Sequence, residues 1–309
     1  MKPLISQITI VGTGLIGGSL GLALKRAKCV SRAVGCDRPE VLSRALELRA
    51  IDAGEPELLK AVSGSQIVVL ATPVMAIMDL ITRLAPHVGE GMLLTDTGST
   101  KAEILRQADG AFRDKLLARF LPGHPMAGKE QSGIDAATAD LFHGASWVLT
   151  PPGGTHALVS PEFTRGPHAD WIACLEAIGA RVVVLDAERH DRICAYTSHL
   201  PQMLSTALAA TVVDILENEQ AVPALSGPGL RDMTRLSASD YSIWRDIVLT
   251  NTKNLHDALL RLEQKLAHIR ENLKTRELHA EFDRAHELDL ETSTEHRNKK
   301  DDIDPPKFW

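Results

Sequence analysis

The sequence predicts an α/β N-terminal domain built on a doubly wound, Rossmann-type parallel sheet, followed by a mainly α-helical C-terminal domain. Short apolar runs alternate with helical patterns through the first half, as strand–helix–strand units require. The first run, Ile8–Val11, opens directly into a glycine-rich turn. Beyond Leu185 the periodicity is helical almost throughout.

In chain order, Ile8–Val11 reads as a buried strand and Leu15–Lys28 as a helix with apolar residues at helical spacing. Ala33–Cys36 is the second strand and Val41–Leu48 the second helix. Ile67–Ala71 and Met92–Thr95 are further strands separated by the helical stretch Met75–Leu84. A helix over Lys101–Ala108 and strands at Phe120–Leu121 and Trp147–Thr150 complete the alternation. Composition then shifts at Pro151-Pro152-Gly153-Gly154, and the following stretch is rich in Pro, Gly, Ser and Thr. The predicted organisation is therefore a dinucleotide-binding domain over 1–153, a linker over 154–167, a helical domain over 168–278 and a charged, disordered tail over 279–309. The helical domain opens with a helix, Ala169–Ile178, and one strand, Arg181–Leu185, before the long helices His199–Leu216 and Tyr241–Lys274.

A chain of 309 residues is long enough for two hydrophobic cores. With 44% hydrophobic and 24% charged residues it has the composition of a soluble protein, and a net charge of −6 gives no support to nucleic-acid binding. The four cysteines form no C-x-x-C pair, so neither a metal site nor a disulfide framework is expected. Met1–Ser6 runs straight into a strand without a signal-peptide pattern, and no apolar run approaches the roughly 20 residues that span a bilayer. The expectation is a cytoplasmic protein with a small-molecule substrate, no metal, no nucleic acid and no membrane partner.

Gly12-Thr13-Gly14-Leu15-Ile16-Gly17 matches G-x-G-x-x-G. The pattern is weak alone, but here a strand precedes it, a helix follows, and Asp37 ends the next strand. Gly12 permits the tight turn, Gly14 lets the backbone approach a pyrophosphate, and Gly17 allows close helix–strand packing. The N–H groups of Leu15 and Ile16 at the helix start suit phosphate oxygens. Asp37 can accept from ribose hydroxyls and would repel a 2′-phosphate, which favours NAD. Arg38 beside it could hold that phosphate, which keeps NADP as the second choice.

Three further clusters carry candidate chemistry. Asp96-Thr97-Gly98-Ser99-Thr100-Lys101 follows a strand, where ligands sit in open α/β sheets; Ser99 either faces the ligand or caps the helix that begins at Thr100 or Lys101. His124, held between a glycine and a proline, offers an imidazole for proton transfer near neutral pH. In the helical half, Thr197-Ser198-His199-Leu200-Pro201 precedes Arg231-Asp232-Met233-Thr234-Arg235. Arg231 and Arg235 are spaced i, i+4, so one helix face could present two guanidinium groups to a small dicarboxylate, or to solvent and nearby acids.

Taken in order, these motifs resemble the prephenate and arogenate dehydrogenase family of tyrosine biosynthesis. The likeness rests on Gly12–Gly18, Ala71-Thr72-Pro73, Asp96–Lys101, Gly123-His124-Pro125-Met126-Ala127-Gly128, Ser198-His199-Leu200-Pro201, Arg231–Arg235, and Trp244 followed by Asn251. It covers roughly residues 6–275 and implies an NAD-dependent oxidative decarboxylation. In that reaction hydride passes from the ring C4 to the nicotinamide, the C4 hydroxyl loses its proton, and the ring carboxylate leaves as CO2. The resemblance implies that His124 accepts or polarises the hydroxyl proton and that Ser99 hydrogen-bonds His124 and the substrate or cofactor. It places His199, Arg235 and Arg231 on the substrate, Thr72, Pro73 and Thr97 in the cofactor site, and a dimer interface in the helical domain. Glu130, just after the histidine loop, resembles prephenate-using and dual-specificity members rather than strict arogenate enzymes. Two other readings are a β-hydroxy-acid dehydrogenase using Lys253, and an NAD-sensing regulator without turnover.

Overall fold

A strand apolar at nearly every position is stable only with both faces covered. In the computed structural model the first half of the chain is built on such strands. The structure describes residues 3–129, 131–154, 161–216, 219 and 221–288. The chain separates into two compact units, one ending at Leu255 and one beginning at His256.

The first unit opens with β1 (Ile5–Val11), α1 (Leu15–Arg26), β2 (Val30–Cys36) and α2 (Pro39–Glu47). Two short elements without a readable period, β3 (Ala53–Gly54) and α3 (Leu58–Ala61), come next. Then follow β4 (Ile67–Leu70), α4 (Val74–Leu84), β5 (Leu93–Asp96), α5 (Ala102–Phe112), α6 (Leu116–Arg119) and β6 (Phe120–Leu121). The six strands form one parallel sheet in the order β3-β2-β1-β4-β5-β6. The doubly wound sheet read from the sequence is therefore present. Alternate residues feed opposite faces: Ile8, Ile10, Ile67 and Val69 join one apolar cluster, and Val11, Val68 and Leu70 the other. Fully burying each such side chain contributes roughly 1.5–3 kcal/mol. The order reverses between β1 and β4, so the loops after these strands diverge and leave a crevice at their carboxyl ends.

A second, three-stranded sheet extends the first unit. It is made of β7 (Gly123–Pro125), β8 (Ser146–Leu149) and β9 (Arg181–Val184). Between the last two lie α7 (Pro161–Thr164) and α8 (Pro167–Ala177). The sequence reading places residues 168–185 in the helical domain. The structure pairs β9 with β8, and buries Trp171, Cys174 and Leu175 of α8 in the cluster that contains Ile5, Ile8 and Ile10. Trp171 meets Trp147 edge to face at 5.8 Å, which explains why α8 stays with the sheets.

The helical part continues with α9 (Ala187–Cys194), a π-helical turn (Ala195–His199), α10 (Leu200–Leu216), α11 (Val222–Leu225) and α12 (Pro228–Thr234). After a 3-10 turn (Arg235–Ala238) come α13 (Tyr241–Thr250) and α14 (Thr252–Glu271). The single helix expected over Tyr241–Lys274 divides at Asn251, which leaves helical dihedrals (φ −129°) and whose side-chain amide donates to the Asp191 carbonyl at 2.8 Å. In the second unit, residues 277–288 are also helical, and Lys265 donates to both Glu281 carboxylate oxygens at 2.8 and 2.9 Å. The predicted disordered tail is thus helical to residue 288, and its remainder lies outside the described residues. No described helix is long and apolar enough to cross a membrane.

Two acids from the helical part hold helix starts at the sheet's carboxyl edge. The Asp191 carboxylate accepts from the Lys101 and Ala102 backbone N–H groups at 2.7 and 2.9 Å, at the start of α5. Asp246 accepts from the Met75 N–H at 3.1 Å, at the start of α4. Neither helix has a cap from its own preceding side chain, so Ser99 does not cap α5. A carboxylate at a helix start satisfies orphan N–H groups and meets the positive dipole end. Asp246→Ala should therefore lower unfolding free energy by about 1–2 kcal/mol, the upper range for a lost cap, in urea titrations followed by circular dichroism. An unchanged midpoint would show that this contact does not hold the helices to the sheet.

Candidate active site

The glycine loop connects β1 to α1 and each glycine has its own reason. Gly12 adopts φ +92°, and a Cβ there would lie 2.5 Å from the Ala71 carbonyl oxygen. At Gly17 a Cβ would lie 1.9 Å from the Gly12 carbonyl oxygen, so the helix and turn could not close. Gly14 differs: nothing lies within 4 Å of an added Cβ. The space in front of Gly14 is open to a ligand. Helix α1 starts at Leu15, so its first N–H groups point from this turn without intrahelical partners.

Asp37 follows directly on β2 and is drawn toward the loop. Its Oδ2 accepts from the Thr13 N–H at 2.7 Å and its Oδ1 from the Arg38 N–H at 2.8 Å. A carboxylate has about four acceptor positions, so capacity remains for a diol. Arg38 is solvent-exposed and pairs with Glu40 at 3.3 Å. A cleft of about 690 Å³ opens from the loop, lined by Gly14, Leu15, Ile16, Thr72, Pro73, Thr97 and Ser99 among others. The Thr72 hydroxyl oxygen is buried with no partner among the described residues. Open space at Gly14, free helix amides and an unpartnered hydroxyl fit a dinucleotide. Seven of the sequence-predicted cofactor and site residues thus line one cleft. Lys129 also lines it, its ammonium tied to the Ala136 carbonyl at 2.9 Å. Glu130 lies outside the described residues.

Beneath Ser99 sits a fully buried ion pair. The Lys101 ammonium contacts the Asp96 carboxylate directly and also donates to the Gly123 carbonyl at 2.8 Å. Asp96 accepts from the Gly98 and Gly123 N–H groups at 2.8 and 3.2 Å. The pair therefore welds the Ser99 loop to β7, the strand that carries His124. Burial pushes the Asp96 carboxyl up and the Lys101 ammonium down, and their contact opposes both shifts. Gly123 has no room for a side chain: a Cβ would lie 2.8 Å from the Trp147 Nε1.

His124 then finds its partner in the helical part. Its Nδ1 lies 2.9 Å from His190 Nε2, and His190 Nδ1 lies 2.8 Å from Asp191 Oδ1. The carboxylate can only accept, so His190 carries its proton on Nδ1 and presents a lone pair at Nε2. His124 must donate Nδ1–H to that lone pair, which leaves its own Nε2 as the basic nitrogen. Desolvation, the neighbouring His190 and the positive Lys101 hold the His124 pKa well below 6.5, so the ring is neutral at pH 7. The partner at His124 Nδ1 is His190, and no Ser99–His124 hydrogen bond is made among the described residues.

His199 ends the π-helical turn, a distortion frequent at functional sites. The Asn251 amide donates to its Nδ1 at 3.2 Å, and Trp244 stands edge-on at a ring separation of 6.0 Å. Burial lowers its pKa to about 4, so a neutral ring with its proton on Nε2 can donate. Arg231 and Arg235 belong to successive elements. Helix α12 ends at Thr234 and Arg235 begins the 3-10 turn. Both are exposed. Lys253, the residue that β-hydroxy-acid chemistry would use, is exposed on α14.

Comparison with known proteins adds the family. A family model described as prephenate dehydrogenase, nucleotide-binding domain, matches residues 20–160, and one described as prephenate dehydrogenase, dimerization domain, matches 186–285. The chain is similar to cyclohexadienyl dehydrogenase of Zymomonas mobilis, with 33% identity over 81% of this chain and 82% of that one. The chain belongs to the prephenate dehydrogenase family. Prephenate dehydrogenase of Lactococcus lactis is 34% identical over 80% of this chain, which spans 65% of that longer relative. The crystal structure of prephenate dehydrogenase from A. aeolicus, in complex with hydroxyphenyl propionate and NAD+, aligns with a TM-score of 0.77. It has 29% identity and covers 97% of this chain and 98% of that one.

Sequence reasoning missed His190 and Asp191, and named Asn251 only as part of the family pattern, without a role. His190 is invisible because its partner His124 lies 66 residues away. The buried clamp carries a stability prediction. Lys101→Met strands the Asp96 carboxylate in the interior and should cost about 3–5 kcal/mol, measured by urea unfolding. Adding Asp96→Asn should recover part of that loss. A single-variant loss below about 1 kcal/mol would contradict a dry ion pair, since exposed pairs contribute that little.

Proposed function

We propose that this chain catalyses the NAD-dependent oxidative decarboxylation of prephenate to 4-hydroxyphenylpyruvate, with arogenate as a second substrate that yields tyrosine. The observation that carries the reading is the Asp191–His190–His124 chain, which holds a neutral imidazole with a defined basic nitrogen on the strand clamped to the Ser99 loop. NAD+, when bound at the glycine loop, takes up the ring hydrogen with its electron pair. His124 Nε2 accepts the C4 hydroxyl proton as the oxygen gains carbonyl character. Loss of the ring carboxylate as CO2 then returns two electrons to the ring, and the same proton can go back to the phenolic oxygen.

The remaining residues bind and orient. Ser99 hydrogen-bonds the reacting end of the substrate, and His199 donates from Nε2. Arg235, supported by Arg231, holds a carboxylate. Asp37 selects NAD over NADP by accepting from the ribose diol. Two copies of the chain pair through the helical part, as the match to the dimerization domain supports.

His124→Asn should lower kcat by about 10²–10⁴-fold while NAD affinity barely changes. A loss under about threefold would remove His124 from the proton transfer. Arg235→Ala should instead raise KM for prephenate, and an unchanged KM would exclude it from the site. The pH dependence follows from the lowered His124 pKa. Protonation destroys the base, and it occurs only below 6.5, so kcat/KM should stay level as pH falls through 6.5 and decline at lower pH. An acid limb at or above 6.5 would contradict a desolvated base.

A further inference from the structure

A cysteine that the reaction does not use stands beside the Asp191–His190–His124 chain. Cys194 lies one helical turn beyond His190 on α9, and its Sγ is 3.4 Å from His190 Nε2. The nearest ligand atoms of His124, His190 and Cys194 all fall within 4.8 Å of one another. We propose that these three residues form a binding site for a borderline-soft divalent cation of the zinc class, and that occupancy withdraws His124 from acid–base chemistry.

The donor set is two imidazole nitrogens and one sulfur, which suits such an ion. Tetrahedral coordination, with metal–nitrogen bonds of about 2.0–2.1 Å and metal–sulfur bonds of about 2.3 Å, sets its ligand atoms roughly 3.3–3.6 Å apart. The 2.9 Å separation of His124 Nδ1 and His190 Nε2 and the 3.4 Å separation of His190 Nε2 and Cys194 Sγ need to open by a few tenths of an ångström, while the His124 and Cys194 ligand atoms, within 4.8 Å of each other, must draw together by up to about 1 Å. The outer shell is already built. His190 gives its other nitrogen to Asp191, the arrangement that orients a metal-binding histidine and supplies negative charge behind it. Lys101, the nearest cation, is neutralised by Asp96.

The proton balance explains the consequence. Binding at His124 Nδ1 moves that ring's proton to Nε2, converting the basic nitrogen into a donor. Cys194 releases its thiol proton and becomes a thiolate ligand. His190 keeps its Nδ1 proton on Asp191 and coordinates through Nε2. One proton is released, and the base is lost.

Inhibition by the metal rests on the reading of His124 as the base; metal binding does not. The test titrates the metal-free chain with Co2+, followed by absorption, and separately assays prephenate turnover against Zn2+ with and without chelator. We expect a thiolate-to-cobalt charge-transfer band in the near ultraviolet that Zn2+ abolishes, and Zn2+ inhibition that chelator reverses. Cys194→Ala should remove the band and raise the Zn2+ needed for half-inhibition by at least about tenfold, while activity under chelator stays within about twofold of the parent. Cys194→Ser, which keeps the side-chain volume, should behave likewise. Absence of the band in the parent chain, or equal Zn2+ inhibition of parent and both variants, would overturn the proposal. If prephenate is not turned over, the cobalt band still decides the binding question.

Discussion

The buried contact between Asp96 and Lys101 is the constraint on which the site depends. Both side chains are fully removed from solvent, and two charges in such a place are tolerable only if every remaining donor and acceptor is used. The surrounding backbone does this. Gly98 and Gly123 donate to the carboxylate and the Gly123 carbonyl accepts from the ammonium. The polar demands of one ion pair thereby bring the end of β5 and the start of β7 to a single point. Ser99 and His124, 25 positions apart in sequence, become neighbours of the same clamp.

A second constraint joins the helical part to this point. The starts of α4 and α5 expose N–H groups at the carboxyl edge of the sheet, and their own preceding residues, Pro73 and Lys101, make no side-chain cap. Asp246 and Asp191 supply the missing acceptors from far along the chain. Asp191 does more than cap. The same oxygen that accepts from the Lys101 N–H also accepts from His190, and so sets the tautomer of His190 and through it that of His124. Helix capping, docking and the choice of basic nitrogen are thus one electrostatic arrangement.

Much of this was legible in the residues themselves. Short apolar runs and period-3.6 patterns yield β1, α1, β2, β4, α4, β5 and β8 with boundary shifts of a few residues, because each buries apolar side chains. The short elements β3 and β7 escape such a reading, since two or three residues carry no period. Residues 168–185 read as helical-domain sequence because only the contacts of Trp171 with Trp147, and of β9 with β8, attach them to the sheets. The break at Asn251 is likewise unreadable locally. At that position the Asn251 amide reaches acceptors on Asp191 and His199, more than 50 residues away in the chain.

By itself the sequence determined the sheet, the dinucleotide loop and the family. These depend on steric and periodic requirements that adjacent residues satisfy, such as the 1.9 Å clash that excludes any side chain at Gly17. It also named His124, Ser99, His199 and the glycine-loop residues as a set. Only the tertiary structure decided how they are wired: that His124 Nδ1 pairs with His190, that Asp191 sets the tautomers of both rings, and that Arg235 follows the helix carrying Arg231. The reason is physical. Hydrogen-bond partners, desolvation and charge act through space over a few ångströms, whereas the residues concerned stand tens of positions apart.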